Sequence, residues 1–147
     1  AFAVPTLITY EALARDGVQL GLGAESVAKI AQVRAAGLKS LEILKAAGVK
    51  MAFGTDLLGA SHGLQSEEFL IRAQAQSNLE VMQSATLIGA ELLNQVGVIG
   101  EIASGTRADL LLVDGNPLAD LACLTGQGER IPLVMQGGKL RVNELRA

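Results

Sequence analysis

The chain has 147 residues, of which half are hydrophobic and 18% are charged, and its mean hydropathy is +0.37. This composition excludes a disordered chain, because disorder requires low hydrophobicity and high net charge. The net charge of -3 comes from scattered residues without a basic stripe, so nucleic acid is not an expected partner. No apolar run is long enough to cross a bilayer and residues 1–10 lack signal-peptide features, so we expect a soluble, cytoplasmic protein without a membrane partner.

The first part of the chain is typical of an α/β unit. Residues 3–9 are short, β-branched and apolar, which predicts a buried strand or extended segment. Apolar residues then recur with helical spacing over 25–47, and Gly48 follows where a helix C′ residue belongs. The apolar run 49–54 predicts a second strand, which delivers Asp56 at its C-terminal end.

A glycine-rich, polar loop is predicted over residues 57–66. Glu67 and Glu68 are interpreted as acidic residues in the first turn of another helix, where the helix dipole favours them, rather than as an acid/base pair. Asn78 is predicted to be the N-cap of a helix that continues to about residue 94.

Beyond this helix the pattern changes to short apolar runs that are typical of strands. Residues 98–102 and 108–113 predict two strands separated by glycine. Residues 133–135 and 140–142 predict the arms of a hairpin that turns at 136–138.

These patterns divide the chain into an α/β region, residues 1–94, and a small β region, residues 95–147. The first region has one clear helix-to-strand unit, which is too little to cover both faces of a parallel sheet. We therefore expect the α/β region to be incomplete.

Asp56 is the strongest candidate for a functional residue. A carboxylate just beyond a buried strand of an α/β protein lies on the face where barrel and open-sheet active sites are built. There it could bind a metal ion or take a proton from a metal-bound water. The alternative is that its side chain caps a turn or the start of a helix.

Tyr10 and His62 are two further candidates, and each has a structural alternative. His62, the only histidine, lies in the polar loop, where it could bind a substrate carboxylate or simply be exposed. Tyr10 follows the first predicted strand and could offer its hydroxyl to a ligand near Asp56, or it could be half-buried packing. One Cys123 and one His62 cannot supply a zinc site of the usual kind, so any metal chemistry needs ligands from elsewhere.

A resemblance to a known family is carried by the order of four segments. The strand VKMAFGTD, its histidine-containing loop, the helix ending SATLIGAELL and the segment GVIGEIASGTRADLLLVDGNPL resemble the C-terminal portion of the amidohydrolase superfamily. The chain looks most like imidazolonepropionase-like and Xaa-Pro dipeptidase-like metal-dependent hydrolases. The resemblance covers nearly the whole chain, and its specific part is the spacing of Gly100, Ile102, Gly105, Ala108-Asp109-Leu110 and Pro117-Leu118.

The resemblance implies an α/β fold, the C-terminal part of a (β/α)8 TIM barrel followed by part of a small β-sandwich. It also implies one or two divalent metal ions, with zinc expected in the complete enzyme. Asp56 corresponds to the family's aspartate after the eighth strand, a metal ligand and general base that accepts the proton of the attacking water. Tyr10 and His62 would bind the terminal carboxylate of a small-molecule or dipeptide-like substrate.

The family's remaining metal ligands are absent, because the chain has a single histidine. We therefore expect the last third or so of a longer enzyme, which lacks its N-terminal barrel segment and by itself holds no metal and is inactive. Association into a homo-oligomer is left open. Two alternatives also stay open: a non-catalytic α/β binding or assembly module with an apolar partner surface, or a hydrolase of cyclic amides from the same superfamily.

Overall fold

The computed structural model describes residues 1–19 and 21–145 as a mixed structure of helices and two small sheets. The helices are α1 (Leu7–Asp16), α2 (Ala24–Ala46), α3 (Glu68–Arg72), α4 (Asn78–Ala85) and α5 (Leu87–Leu92). The strands are β1 (Phe2–Ala3), β2 (Lys50–Met51), β3 (Leu110–Leu112), β4 (Leu133–Gln136) and β5 (Lys139–Asn143). Short 3-10 segments occupy Gly59–Glu67, Leu121–Leu124 and Gly126–Gly128.

The first sheet is a parallel pair of strands joined through two helices. Strand β1 pairs with β2, with Phe2 opposite Lys50 and Ala3 opposite Met51, and α1 and α2 form the connection between them. Parallel neighbours require such a crossover, so this part of the chain is an α/β unit as predicted.

The predicted strand or extended segment over residues 3–9 is wrong from Leu7 onwards, because α1 begins there. Leu7 and Ile8 are buried together with Ala12, which lies one helical turn further along. This spacing buries one helical face, and the burial outweighs the β-branched character of the segment.

Helix α2 confirms the prediction for residues 25–47 to within one residue at each end. Gly48 follows it with a φ of +65°, the left-handed conformation that ends many helices. Leu41 of α2 is fully buried against Leu7 and Met51, so α2 packs on both α1 and β2.

The predicted helix over 78–94 is divided into α4 and α5 at Thr86, whose φ of -122° and ψ of -89° are not helical. Its N-cap is Ser77 and not Asn78, which is the first helical residue. The Ser77 hydroxyl accepts a hydrogen bond from the Glu80 N–H, and the Glu80 carboxylate accepts one from the Ser77 N–H at 2.7 Å. This reciprocal capping box satisfies two N–H groups at the helix start.

The second sheet is antiparallel, in the order β3-β4-β5. The predicted hairpin is confirmed: β4 and β5 are joined at Gly137 and Gly138, whose φ values of +55° and +76° suit a tight two-residue turn. The strand predicted over 98–102 is wrong, since these residues form turns that include Gly100 at a φ of +87°.

One apolar cluster joins the two parts of the chain. Val81 of α4 packs with Leu121, Cys123 and Leu124, which lie between β3 and β4. Within residues 1–19 and 21–145, no helix combines the length and apolar character needed to cross a membrane.

Candidate functional site

Asp56 lies shortly beyond the carboxyl end of β2, and its side chain is exposed. Its backbone has a φ of +51°, in the left-handed region that L-residues rarely adopt and that Asp tolerates better than most. Such a conformation costs on the order of 1–3 kcal/mol and persists only where the surrounding structure fixes it.

Backbone hydrogen bonds fix the chain between β2 and Asp56. The Ala52 N–H donates to the Ala3 carbonyl at 2.9 Å, and the Phe53 N–H donates to the Ser84 carbonyl at 3.0 Å. These bonds anchor the segment to β1 on one side and to the end of α4 on the other, so it leaves the sheet in a defined direction.

Two side chains bind carbonyl groups on either side of Asp56. The Thr9 hydroxyl, on α1, donates to the Thr55 carbonyl at 2.6 Å. The His62 ring lies 2.6 Å from the Leu57 carbonyl through Nε2, so this nitrogen carries the hydrogen and donates. The buried side chain of Leu57 also packs against α1, in a cluster with Ile8.

His62 lies in the 3-10 segment Gly59–Glu67 and is exposed. The loop predicted over 57–66 is therefore mostly ordered as 3-10 turns, and its histidine has a backbone partner through Nε2. Nδ1 is the ring nitrogen left for another partner.

Tyr10 lies in the first half of α1 and not directly after a strand, which corrects its predicted position. It lines a groove of about 430 Å³ between α1 and α2, together with Pro5, Val33 and Ser40. Among the described residues that line this groove, neither Asp56 nor His62 is present. The structure thus brings Thr9, rather than Tyr10, into contact with the segment that carries Asp56.

Glu68 is a residue whose role the sequence did not reveal. Its side chain is fully buried, and its carboxylate accepts a hydrogen bond from the Ile8 N–H at 2.7 Å, near the start of α1. Burial raises the pKa of Glu68 to about 7, although backbone hydrogen bonds from Ile8 and Leu7 and the charge of Arg72 act in the opposite direction. Glu68 thus begins α3, as predicted, but its carboxyl is buried and binds the start of α1.

Arg72 is also fully buried, one helical turn beyond Glu68. It donates through Nη1 to the Ala52 carbonyl at 3.0 Å and to the Ser84 hydroxyl at 3.3 Å, and its guanidinium lies 5.7 Å from the centre of the Phe53 ring. Burial lowers the pKa of Arg72, and the nearby Glu68 carboxylate opposes that change. Within the described part of the chain, Glu68 Oε1 and Arg72 Nη2 have no hydrogen-bond partner.

The identity of the chain follows from comparison with protein families. The model of the amidohydrolase family matches residues 2–140. The chain belongs to the amidohydrolase family. Ochratoxinase from Aspergillus niger is 28% identical over 121 residues, which are 82% of this chain and 25% of that protein.

Solved structures place this amidohydrolase chain among prolidase-like proteins. A crystal structure of an amidohydrolase is 57% identical, with a TM-score of 0.94, and the match covers 99% of this chain and 35% of that one. A prolidase complexed with N-methylphosphonate-L-proline is 51% identical, with a TM-score of 0.91, over 97% of this chain and 35% of that one.

A Xaa-Pro dipeptidase with bound methionine in its active site is 32% identical, with a TM-score of 0.82, over 97% of this chain and 35% of that one. The resemblance to Xaa-Pro dipeptidase-like amidohydrolases is therefore confirmed. The chain spans about a third of the length of these structures and about a quarter of the length of ochratoxinase.

One side chain of this amidohydrolase chain, Asp56, is suited to bind a metal ion. The Asp56 carboxylate is exposed at the end of a strand, and carboxylate oxygen is a normal ligand for divalent metals, zinc included. Over residues 1–19 and 21–145, no group of three or more His, Cys, Asp or Glu side chains could hold a metal ion. Asp56 therefore fits a single ligand position.

Proposed function

We propose that this chain is the C-terminal portion of a metal-dependent amidohydrolase that hydrolyses an amide or dipeptide-like carbon–nitrogen bond. The observation that carries the proposal is the exposed Asp56 carboxylate beyond β2, in a chain 51% identical to a prolidase structure. That prolidase binds N-methylphosphonate-L-proline, and the Xaa-Pro dipeptidase holds methionine in its active site. Both ligands carry a carboxylate, which supports a small substrate with a free terminal carboxylate.

Asp56 has two roles in this proposal, metal ligand and general base. A divalent metal, with zinc as the expected ion, would polarise the scissile carbonyl and acidify water when bound. Asp56 would accept the proton of the attacking water and return it to the leaving amine nitrogen. Its exposed position leaves the carboxylate free to face a substrate.

Tyr10 and His62 are proposed to bind the terminal carboxylate of the substrate. Because Nε2 of His62 donates to the Leu57 carbonyl, the ligand would be bound through Nδ1. Tyr10 lines the groove between α1 and α2, so its hydroxyl would have to reach the same carboxylate from there. Replacing His62 by alanine should then raise KM for substrates with a free carboxylate more than for their amidated counterparts.

The proposal includes a complete (β/α)8 barrel, with residues 1–94 as its C-terminal segment and residues 95–147 as part of a composite β-sandwich. It is supported by the parallel pairing of β1 and β2 across a helical crossover, the arrangement of neighbouring barrel strands. Large apolar side chains are also exposed on both parts, among them Val4, Leu58, Leu111 and Leu140. An N-terminal barrel segment would cover such surface, and a crystal structure of the full-length protein tests this directly.

The role of Asp56 is tested by Asp56→Asn in the full-length protein. Asn also tolerates the left-handed backbone, so this change removes the carboxylate and keeps the local conformation. We expect kcat to fall at least about a hundredfold, since an amide cannot act as a base. Asp114→Asn, an exposed position between β3 and β4, is the matched control and should keep the normal rate. A near-normal rate for Asp56→Asn would contradict the mechanism.

The substrate class is tested by turnover of three compound types. Dipeptides and N-acyl amino acids should be hydrolysed by the full-length protein, whereas cyclic amides should not. The reverse preference would favour a cyclic amide hydrolase of the same family. The 147-residue chain alone should show neither turnover nor stoichiometric zinc, because its described residues supply one suitable ligand.

A further inference from the structure

The two carbonyl groups that flank Asp56 are both held by side chains from other parts of the chain. We propose that Thr9 and His62 are positioning residues that keep Asp56 in its left-handed conformation and thereby aim its carboxylate. The inference rests on the proposed function, because holding Asp56 matters for catalysis only if Asp56 is the metal ligand and general base.

The Thr9 contact acts on the peptide group that precedes Asp56. The Thr55 carbonyl belongs to that planar peptide group. Rotation about the N–Cα bond of Asp56, which is its φ, therefore changes the direction of the Thr55 carbonyl relative to the rest of Asp56. The Thr9 hydroxyl binds this carbonyl at 2.6 Å and so favours the orientation that the φ of +51° requires.

The His62 contact fixes the chain on the other side. Leu57 is anchored twice, by burial of its side chain beside Ile8 and Ala12 and by the bond from His62 Nε2 to its carbonyl. With both neighbours held, Asp56 cannot relax to an ordinary conformation unless one of these contacts breaks.

The Thr9 hydroxyl donates to a carbonyl that is distant in the sequence. Thr9 lies in the first turn of α1, and its hydroxyl bonds to the Thr55 carbonyl, which is 46 positions away in the sequence. This hydrogen bond connects the part of the chain that follows β1 with the part that follows β2. An active site built at the ends of neighbouring strands requires supporting contacts of this kind.

The proposal is tested with Thr9→Val and Thr9→Ser in the full-length protein. Valine keeps the shape of threonine without its hydroxyl, and serine keeps the hydroxyl without the methyl group. We expect Thr9→Val to lower kcat between about tenfold and a hundredfold with little change in KM, because misplaced catalytic groups lose rate rather than binding. Thr9→Ser should stay close to the wild-type kcat. Equal losses in the two variants, or a normal kcat for Thr9→Val, would overturn the proposal.

His62 holds the Leu57 carbonyl through Nε2 and would bind the substrate through Nδ1, so His62→Ala should lower kcat for both kinds of substrate and raise KM only for those with a free carboxylate. A positioning defect lowers kcat equally for substrates with a free carboxylate and for their amidated forms, whereas loss of a carboxylate ligand raises KM for the first group alone. A change confined to KM would remove His62 from the proposal. If either variant fails to fold, Thr9→Ala and His62→Gln provide second substitutions at the same positions.

Crystal structures of the metal-free variants give a readout that does not depend on activity. The φ of Asp56 should leave the left-handed region in Thr9→Val and remain there in Thr9→Ser. If the wild-type protein turns over no amide substrate, the proposed function has failed, and these structures still decide whether the two side chains hold Asp56. An unchanged φ in both Thr9→Val and His62→Ala would refute the positioning role.

Discussion

Replacing Glu68 by glutamine should change how the stability of the protein depends on pH. The Glu68 carboxyl is fully buried and accepts the Ile8 N–H, so ionisation places a charge in the interior. Glutamine has nearly the same shape, and its amide oxygen can accept the same hydrogen bond, but it does not titrate. The comparison therefore isolates the effect of the charge.

The size and sign of this effect follow from the pKa of Glu68, which rises from its ordinary value of 4.5 to about 7 in the folded protein. Between these two pH values the folded state keeps a proton that the unfolded state has lost, so stability decreases as the pH rises. The stability gained from the raised pKa of Glu68 is fully present below pH 4.5 and is lost as the pH rises through about 7. At about 1.4 kcal/mol for each pH unit, this interval corresponds to about 3 kcal/mol.

Urea unfolding of both proteins at pH 5, 6, 7 and 8 measures the effect as a difference in free energy of unfolding. The stability of the wild type relative to Glu68→Gln should fall by up to about 3 kcal/mol over this range, with equal m-values in both proteins. Glu67→Gln, at the adjacent and partly exposed carboxylate, is the matched control and should follow the wild-type pH dependence. A difference between wild type and Glu68→Gln that is the same at pH 5 and pH 8 would refute the reasoning.

Four further substitutions test the packing and capping contacts by chemical denaturation. Ser77→Ala removes the hydroxyl that caps α4 at the Glu80 N–H and should cost about 1 kcal/mol. Leu41→Ala, at a fully buried position, should cost about 2–5 kcal/mol, whereas Ile43→Ala on the exposed side of α2 should cost less than about 1 kcal/mol. Arg72→Met keeps an apolar stem but removes the donors to Ala52 and leaves Glu68 without its nearby cation, so a loss of about 3–5 kcal/mol is expected, largest above pH 7.

The elements that could be predicted from sequence are those whose signal is local. Helix α2 is specified by its own apolar spacing and by Gly48, and the β4–β5 hairpin by two glycines between two apolar runs. The start of α1 was missed because residues 3–9 are short and β-branched, and their helical burial depends on contacts with α2 and Leu57. Local propensity was overridden there by packing against residues that are distant in the sequence.

The candidate site shows the same division between local and long-range information. Asp56 could be selected because a carboxylate directly after an apolar run is a local pattern. Thr9 could not, because nothing in its neighbourhood indicates a bond to Thr55. Glu68 and Arg72 do form a sequence pattern, opposite charges four positions apart. That pattern also occurs on exposed helix surfaces, so it does not indicate that the two side chains are buried.

The contacts made by Arg72 and by Thr9 both act on the segment between β2 and Asp56. This connects the stability of the protein to the proposed chemistry. Arg72 binds the carbonyl of Ala52 at the beginning of the segment, and Thr9 binds that of Thr55 directly before Asp56. Thr9 lies on α1, whose start is bound by Glu68 from the helix that also carries Arg72. Ionisation of Glu68 places a charge in the interior beside this attachment, although the Ile8 N–H hydrogen bond itself favours the ionised form. The Glu68 carboxyl, which should make stability depend on pH, thus binds the residue adjacent to Thr9, so one short stretch of α1 carries both this stability determinant and the contact to the Thr55 carbonyl.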